Sequence, residues 1–121
     1  MEDVQTVLVV DDESNMRFLI RMILERAGYT VLEAPHGVAA LQRAKESPPD
    51  LVVTDLMMPV MGGRELVERL RADPGTASIP IVVLSSNASS VATTADAILG
   101  KPFEPESLLE AARSLAGRNS G

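Results

Sequence analysis

Short apolar runs alternate with amphipathic helical stretches along the chain, and this alternation constrains the fold more than any other feature of the sequence. β-Branched runs bounded by polar residues are typical of buried strands. Strands that alternate with helices indicate parallel βαβ units, with helices on both faces of one sheet. The sequence therefore predicts an α/β fold in three layers. The five predicted strands are Val7–Val10, Thr30–Glu33, Leu51–Thr54, Ile81–Leu84 and Ala97–Leu99.

Turn and cap residues delimit four helical stretches between and after these strands. The first helix is predicted to begin with Ser14 as its N-cap and to end at Gly28. The second begins near Gly37 and ends before Pro48-Pro49, the third follows Gly63, and the last follows Pro105, which suits a first-turn position.

Two segments do not fit this pattern. Ser, Thr and Asn dominate Ser86–Asp96, so at most a short helix is expected there. Gly117–Gly121 is typical of a frayed tail. With 121 residues and no linker or repeat, residues 1–121 are predicted to form one domain.

Composition argues against several partners. The net charge of -6 disfavours binding to a phosphate backbone, and three scattered aromatic residues are too few to stack bases. No apolar stretch approaches the ~20 residues of a membrane span. Met1–Thr6 lacks the basic and apolar regions of a signal peptide. We therefore expect a cytoplasmic protein with no nucleic-acid or membrane partner.

Three carboxylates follow two of the predicted strands. Asp11 and Asp12 come directly after the first strand, and Asp55 comes after the third. If those strands are parallel neighbours, the acidic side chains meet at one edge of the sheet and repel unless a cation offsets them. The chain has no cysteine and one histidine, so a hard divalent cation with oxygen ligands fits best. The sequence predicts Mg²⁺, with Mn²⁺ as the alternative.

Four motifs in order give the chain a specific resemblance. VLVVDD ends at Asp12, DLMMPVMGG runs from Asp55 to Gly63, IPIVVLS ends at Ser85, and KPF begins at Lys101. Together with the intervening helices they resemble the receiver domain of response regulators in two-component signalling, of the single-domain, chemotaxis-regulator kind. The resemblance implies a flavodoxin-like fold with a five-stranded parallel sheet in the order 2-1-3-4-5.

The resemblance also implies roles for the first two motifs. Asp55 matches the phosphoacceptor, and Asp11 and Asp12 match the acidic pair that binds metal together with Asp55. The main-chain carbonyl of Met57 completes the metal site, and Gly63 is the turn glycine before the third helix.

The other two motifs match parts that sense the phosphoryl group. Ser85 corresponds to the hydroxyl switch, and Ser86 lies beside it in the same phosphate-binding region. Lys101 matches the lysine that binds the phosphoryl group. The bond before Pro102 is expected to be cis.

Two features differ from the family. The position three residues before the lysine, usually Tyr or Phe, is Ile98, so the aromatic part of the usual switch is missing. Ser85 to Lys101 spans 16 positions, shorter than is typical of the family. The family's fourth helix, which lies in this segment, is therefore expected to be shortened or missing. We hypothesise that phosphorylation is retained, that its readout is altered, and that partners bind the first helix.

The predicted function is a signalling switch rather than an enzyme. Asp55 accepts a phosphoryl group from a histidine kinase or phosphotransfer protein in a Mg²⁺-dependent reaction, and the domain changes its affinity for an unknown downstream protein. Slow self-dephosphorylation is compatible with this role. Two alternatives stay open: a receiver-like scaffold that is not phosphorylated, and a Mg²⁺-dependent phosphatase with an aspartyl nucleophile.

Overall fold

A computed structural model describes residues 4–86 and 94–119, and these form a three-layer α/β fold. The described elements are β1 (Thr6–Val10), α1 (Ser14–Arg26), β2 (Thr30–Ala34), α2 (Gly37–Glu46), β3 (Leu51–Asp55), α3 (Gly63–Ala72), β4 (Ile81–Ser85), β5 (Ala97–Gly100) and α4 (Pro105–Asn119). All four strand pairings are parallel, and the sheet order is β2-β1-β3-β4-β5. The predicted fold class and sheet order are confirmed. The shortened or missing helix predicted between Ser85 and Lys101 falls largely on residues 87–93, which lie outside the described part of the chain.

The side chains of the central strands alternate between two hydrophobic clusters. Leu8 and Val10 of β1 face a cluster formed with α2 and α3, whereas Val7 and Val9 face a second cluster formed with α1 and α4. Every residue of β3 and β4 is buried. Strands covered on both faces have no polar side to alternate with, which explains why they are continuous apolar runs in the sequence.

The start of α1 differs from the prediction. The helix begins at Ser14, and Glu13, not Ser14, is its N-cap; within the described residues the Glu13 side chain makes no capping hydrogen bond. Asp11 Oδ1 accepts a hydrogen bond from the Glu13 N–H at 2.9 Å. The aspartate therefore forms an Asx-type turn that leads the chain into the helix.

The end of α1 agrees with the expected glycine stop. Gly28 has a φ of 100°, and its N–H donates to the carbonyl of Glu25, while the Tyr29 N–H donates to the carbonyl of Leu24. These two bonds form a Schellman motif, for which glycine is the residue best suited to the left-handed position.

α2 begins at Gly37, as predicted, whereas the end of α4 differs from the expected frayed tail. His36 is the N-cap of α2, and its Nδ1 accepts a hydrogen bond from the Ala39 N–H at 3.2 Å. Residues 117–119, expected in a frayed tail, belong to α4, while 120–121 lie outside the described residues. No helix in the described part of the chain is both long and apolar enough to cross a bilayer.

Candidate functional site

Two neighbouring strands bring the predicted carboxylates together. β1 and β3 pair in parallel with Val10 opposite Thr54, so the residues that follow, Asp11 and Asp55, lie side by side at the carboxyl edge of the sheet. One oxygen from each of Asp11, Asp12 and Asp55 lies within 4.8 Å of the others. Asp11 and Asp55 are buried, whereas Asp12 is exposed. The carboxylates therefore form one acidic cluster that opens to solvent through Asp12.

Asp11 is held by hydrogen bonds through most of its polar atoms. Its N–H donates to the Ala34 carbonyl at 3.2 Å, its carbonyl accepts from Arg17 Nη1 at 2.7 Å, and its Oδ1 accepts from Glu13. Its Oδ2 is buried and has no hydrogen-bond partner among the described residues. A buried polar atom without a partner is uncommon and marks a position where a ligand or ion can bind.

The environment of Asp11 disfavours its charged form. Burial raises the pKa of the Asp11 carboxyl above its ordinary value, and the carboxylates of Asp55 and Asp12 raise it further. The hydrogen bond from Glu13 and the charge of Lys101 act in the opposite direction. In the absence of a metal, the ionised form of Asp11 is therefore unfavourable, and a nearby positive charge stabilises it.

Lys101 supplies one positive charge to the cluster. Its Nζ lies 2.9 Å from Asp55 Oδ1 and 3.9 Å from Asp11 Oδ2. The lysine directly follows β5, its N–H donates to the Ser85 carbonyl at 2.8 Å, and its bond to Pro102 is cis. Among the described residues of the cluster, one ammonium faces three carboxylates, which leaves two negative charges if all three are ionised. The donor set of carboxylate oxygens, in which Asp11 Oδ2 accepts no hydrogen bond from the described residues, fits a hard divalent cation such as Mg²⁺.

Ser85 also lies at this edge of the sheet. It is buried at the end of β4, where it pairs with Gly100 of β5, and the preceding Leu84 pairs with Asp55. Ser86 follows directly and is exposed. The structure thus places a hydroxyl residue at the end of the strand next to Asp55.

The loop after β3 carries the remaining predicted positions. Met57 exposes 72% of its surface, and Val60 exposes 92% and has a φ of 68°. The Met61 N–H donates to the Pro59 carbonyl at 2.8 Å, so Val60 is the central residue of a γ-turn.

Gly63 closes this loop where two backbone segments meet. Its N–H donates to the Leu56 carbonyl at 2.8 Å, and a Cβ added to Gly63 would lie 2.8 Å from Leu56 Cα and in contact with the Asp55 carbonyl oxygen. Only glycine allows α3 to begin this close to the residue that carries the acidic side chain.

Ile98 lies apart from the acidic cluster. It is half-buried on β5 opposite Val83 and packs against the hydrophobic cluster on the α2 and α3 side of the sheet. Ile98 therefore contributes to packing on this face of the sheet.

Sequence reasoning missed Arg17 and Glu33. Arg17 binds the Asp11 carbonyl and places its Nε 3.0 Å from Glu33 Oε1, which belongs to β2. Arg21 Nη1 contacts the other oxygen of Glu33 at 2.8 Å. The available signal was Glu33, a charged and partly buried residue in the largely apolar strand β2, where a cationic partner stabilises its carboxylate.

A known protein family matches most of the chain. A sequence model of the family described as the response regulator receiver domain matches residues 7–113. The chain belongs to the receiver-domain family. The predicted resemblance and the function class, a receiver domain of two-component systems with an acidic cluster typical of its phosphoacceptor site, are confirmed.

Full-length relatives extend beyond the matched region. The receiver domain is 35% identical over 120 residues to the phosphate regulon transcriptional regulatory protein PhoB of Pseudomonas aeruginosa, a match that covers 94% of this chain and 52% of PhoB. A similar match is to the DNA-binding response regulator MtrA of Mycobacterium tuberculosis, also at 35% identity, covering 95% of this chain and 52% of MtrA. The chain spans about half the length of these relatives.

Solved structures match over nearly their whole length. The chemotaxis response regulator CheY4 of Vibrio cholerae superposes with a TM-score of 0.83 at 32% identity, covering 93% of this chain and 99% of that one. The receiver domain of the sensor histidine kinase PA1611 from Pseudomonas aeruginosa, solved with a magnesium ion coordinated in its active-site cleft, superposes with a TM-score of 0.89 at 25% identity, covering 95% and 99%.

Proposed function

We propose that this receiver domain accepts a phosphoryl group on Asp55 in a Mg²⁺-dependent reaction and thereby changes its affinity for a protein partner. The observation that carries the proposal is the contact between Asp55 Oδ1 and Lys101 Nζ at 2.9 Å, in a cluster whose Asp11 Oδ2 has no hydrogen-bond partner among the described residues. Asp55 is therefore placed beside both a cation and an atom that can bind a second one.

The chemistry needs a nucleophilic carboxylate and charge neutralisation. An oxygen of Asp55 attacks the phosphorus of a phosphohistidine, the P–N bond breaks, the imidazole leaves and takes up a proton, and an acyl phosphate forms on Asp55. Lys101 stands 2.9 Å from the acceptor carboxylate, so its ammonium can pair with a phosphoryl oxygen once the product has formed. When bound, Mg²⁺ offsets the negative charge of the transferring phosphoryl oxygens.

Four residues are proposed to hold the ion. These are the carboxylates of Asp11, Asp12 and Asp55 and the main-chain carbonyl of Met57, all oxygen donors of the kind that Mg²⁺ or Mn²⁺ takes. Three of them lie in the acidic cluster described above. Ser85 and Ser86, at the end of β4, are proposed to contact the phosphoryl group and move the following segment.

The proposed phosphodonor is a histidine kinase or a phosphotransfer protein. A donor must cover the carboxyl edge of the sheet to bring its phosphohistidine to Asp55, and α1 begins two residues after Asp12. Phe18, Leu19 and Met22 on this helix are exposed apolar residues. We propose that the donor packs on this face. The contact is tested with purified histidine kinases of the source organism: Phe18→Ser should slow transfer from the cognate kinase but not phosphorylation by acetyl phosphate, and equal kinase transfer rates would rule the contact out.

We also propose the extent of the domain, its location and its partner. Residues 1–121 are taken as one receiver domain in the cytoplasm, with an unknown downstream protein as its target. The net charge of -6 supports a protein rather than a nucleic acid or a membrane as the partner of this segment.

The phosphatase alternative is less well supported. Such enzymes usually place a second aspartate two residues after the nucleophile as acid and base, and here that residue is Met57. A thioether has no proton to transfer. The family is one of signalling domains, so self-dephosphorylation is proposed only as a slow side reaction.

The test is phosphorylation by a small donor. The protein is incubated with acetyl phosphate and Mg²⁺, and its intact mass is measured beside Asp55→Asn and a control variant, Asp73→Asn, which changes a carboxylate at the end of α3. One phosphoryl group should appear in the wild type and the control, disappear in Asp55→Asn, and require Mg²⁺. An adduct that persists in Asp55→Asn contradicts the assignment. Turnover of added phosphoesters would support the phosphatase. If the wild type forms no adduct, the alternative of a receiver-like scaffold that is not phosphorylated is favoured.

A further inference from the structure

An arginine on α1 binds the backbone of the acidic cluster from outside it. Arg17 Nη1 donates to the main-chain carbonyl of Asp11 at 2.7 Å, and Arg17 Nε donates to Glu33 Oε1 at 3.0 Å. The Arg17 side chain is only 18% exposed. One guanidinium therefore ties the turn between β1 and α1 to strand β2.

This contact restricts the carboxylate of Asp11. The N–H of Asp11 is held by Ala34 of β2, its carbonyl by Arg17, and its Oδ1 by the N–H of Glu13. The remaining atom, Oδ2, lies in the cluster 3.9 Å from Lys101 Nζ. The backbone N–H and carbonyl of Asp11 and one of its carboxylate oxygens are thus fixed. The position of Oδ2 therefore follows from the position of the backbone that Arg17 holds.

We propose that Arg17 is a positioning residue for the Mg²⁺ site, anchored by Glu33 and acting through the backbone of Asp11. The proposal rests on the function proposed above. Groups that orient metal ligands from outside the coordination sphere commonly change metal affinity by about 10- to 100-fold when they are removed. Arg17 differs from the usual case because it orients the main chain of the ligand rather than its side chain.

The direction of the effect separates positioning from simple electrostatics. Arg17 is a cation near a cation site, so on charge alone its removal should strengthen Mg²⁺ binding. Positioning predicts the opposite, that removal weakens binding. Arg21 provides a matched control, since it lies on the same helix and binds the same Glu33 at 2.8 Å, and it also pairs with Glu25 rather than with Asp11.

The experiment compares Arg17→Gln with Arg21→Gln and the wild type. Mg²⁺ is titrated at fixed ionic strength, and its affinity is measured by calorimetry. In the metal-free proteins, hydrogen exchange of the Glu13 amide is followed by NMR, because that amide donates to Asp11 Oδ1. We expect Arg17→Gln to bind Mg²⁺ about 10-fold more weakly and its Glu13 amide to exchange faster. Arg21→Gln should match the wild type in exchange and bind Mg²⁺ equally or slightly more tightly.

The Mg²⁺ affinities of the variants decide whether Arg17 positions the site. If Arg17→Gln binds Mg²⁺ as well as the wild type or better, the positioning role is wrong. If the wild type itself does not bind Mg²⁺, the proposed function fails instead, so the two failures are distinguishable. Should Arg17→Gln not fold, Arg17→Lys serves as the second variant: it keeps the charge but cannot bridge Asp11 and Glu33 as a planar guanidinium does, and weaker binding is again expected.

Discussion

Replacing Asp11 with asparagine should make the metal-free receiver domain more stable. At an effective dielectric constant of about 20, the repulsion between Asp11 and Asp55 oxygens that lie within 4.8 Å of each other is at least about 3.5 kcal/mol. The attraction between Asp11 Oδ2 and Lys101 Nζ at 3.9 Å is about 4 kcal/mol on the same scale. These two contributions nearly cancel, so the burial of Oδ2 without a hydrogen bond determines the outcome.

That burial sets the expected magnitude. A buried polar group without a partner costs about 1–3 kcal/mol, and asparagine replaces the ionised oxygen with a neutral amide group that costs less to bury, while its Oδ1 can still accept from the Glu13 N–H. We therefore expect Asp11→Asn to raise the free energy of unfolding in EDTA by about 1–3 kcal/mol, or roughly 4 °C in Tm for each kcal/mol.

The gain should depend on pH in a defined direction. The pKa of Asp11 is raised in the folded state above its ordinary value of 3.8, so the wild type carries its full penalty above the folded pKa. As the pH falls from there towards 3.8, the folded protein binds the proton first and the penalty is lost. The advantage of Asp11→Asn should therefore shrink and disappear at acidic pH.

Urea unfolding followed by circular dichroism measures all of these effects. Asp12→Asn is the control, because it makes the same change in an exposed carboxylate of the same cluster and should shift stability by no more than about 0.5 kcal/mol. Mg²⁺ at ten times its Kd should stabilise the wild type by about 1.4 kcal/mol but not Asp11→Asn. An Asp11→Asn variant that is no more stable than the wild type in EDTA would refute this reasoning.

Three further substitutions test other parts of the structure in the same unfolding assay. Val60→Gly should stabilise the protein by about 0.5–1 kcal/mol, because relief of positive-φ strain exceeds the entropy cost of glycine; a loss of stability would contradict the γ-turn. Gly63→Ala should destabilise it by about 1–3 kcal/mol, since the new Cβ would meet the backbone of Leu56; an unchanged midpoint would contradict the close approach. The hydrogen bond from Arg21 lowers the pKa of Glu33, so Glu33→Gln should cost up to about 1 kcal/mol above pH 4.5 and progressively less as the pH falls through the lowered pKa; a cost independent of pH would contradict the ion pair.

The element pattern could be predicted because its causes are local. The five predicted strands match the observed ones except at their ends: β1 begins one residue earlier, at Thr6, and the other four each extend one residue further. Thr6 pairs with Thr30 in the sheet, and a polar residue at a strand end carries no apolar signal. The predicted N-cap of α1 lies one residue too late because Asp11, rather than a serine, forms the turn that precedes the helix.

The sequence by itself determined the order of strands and helices and the meeting of three carboxylates, since the carboxyl ends of parallel strands lie at one edge of a sheet. It could not determine which atoms are paired there. The bond from Arg17 to Asp11 and the ion pair with Glu33 join residues of α1, the β1–α1 turn and β2, and the Lys101 contact joins the ends of β3 and β5. Periodicity records which side of its own element a residue occupies, whereas these contacts depend on distances between elements, which packing alone sets. Tertiary structure thus decided that Asp11 Oδ2 is the carboxylate oxygen left for a cation.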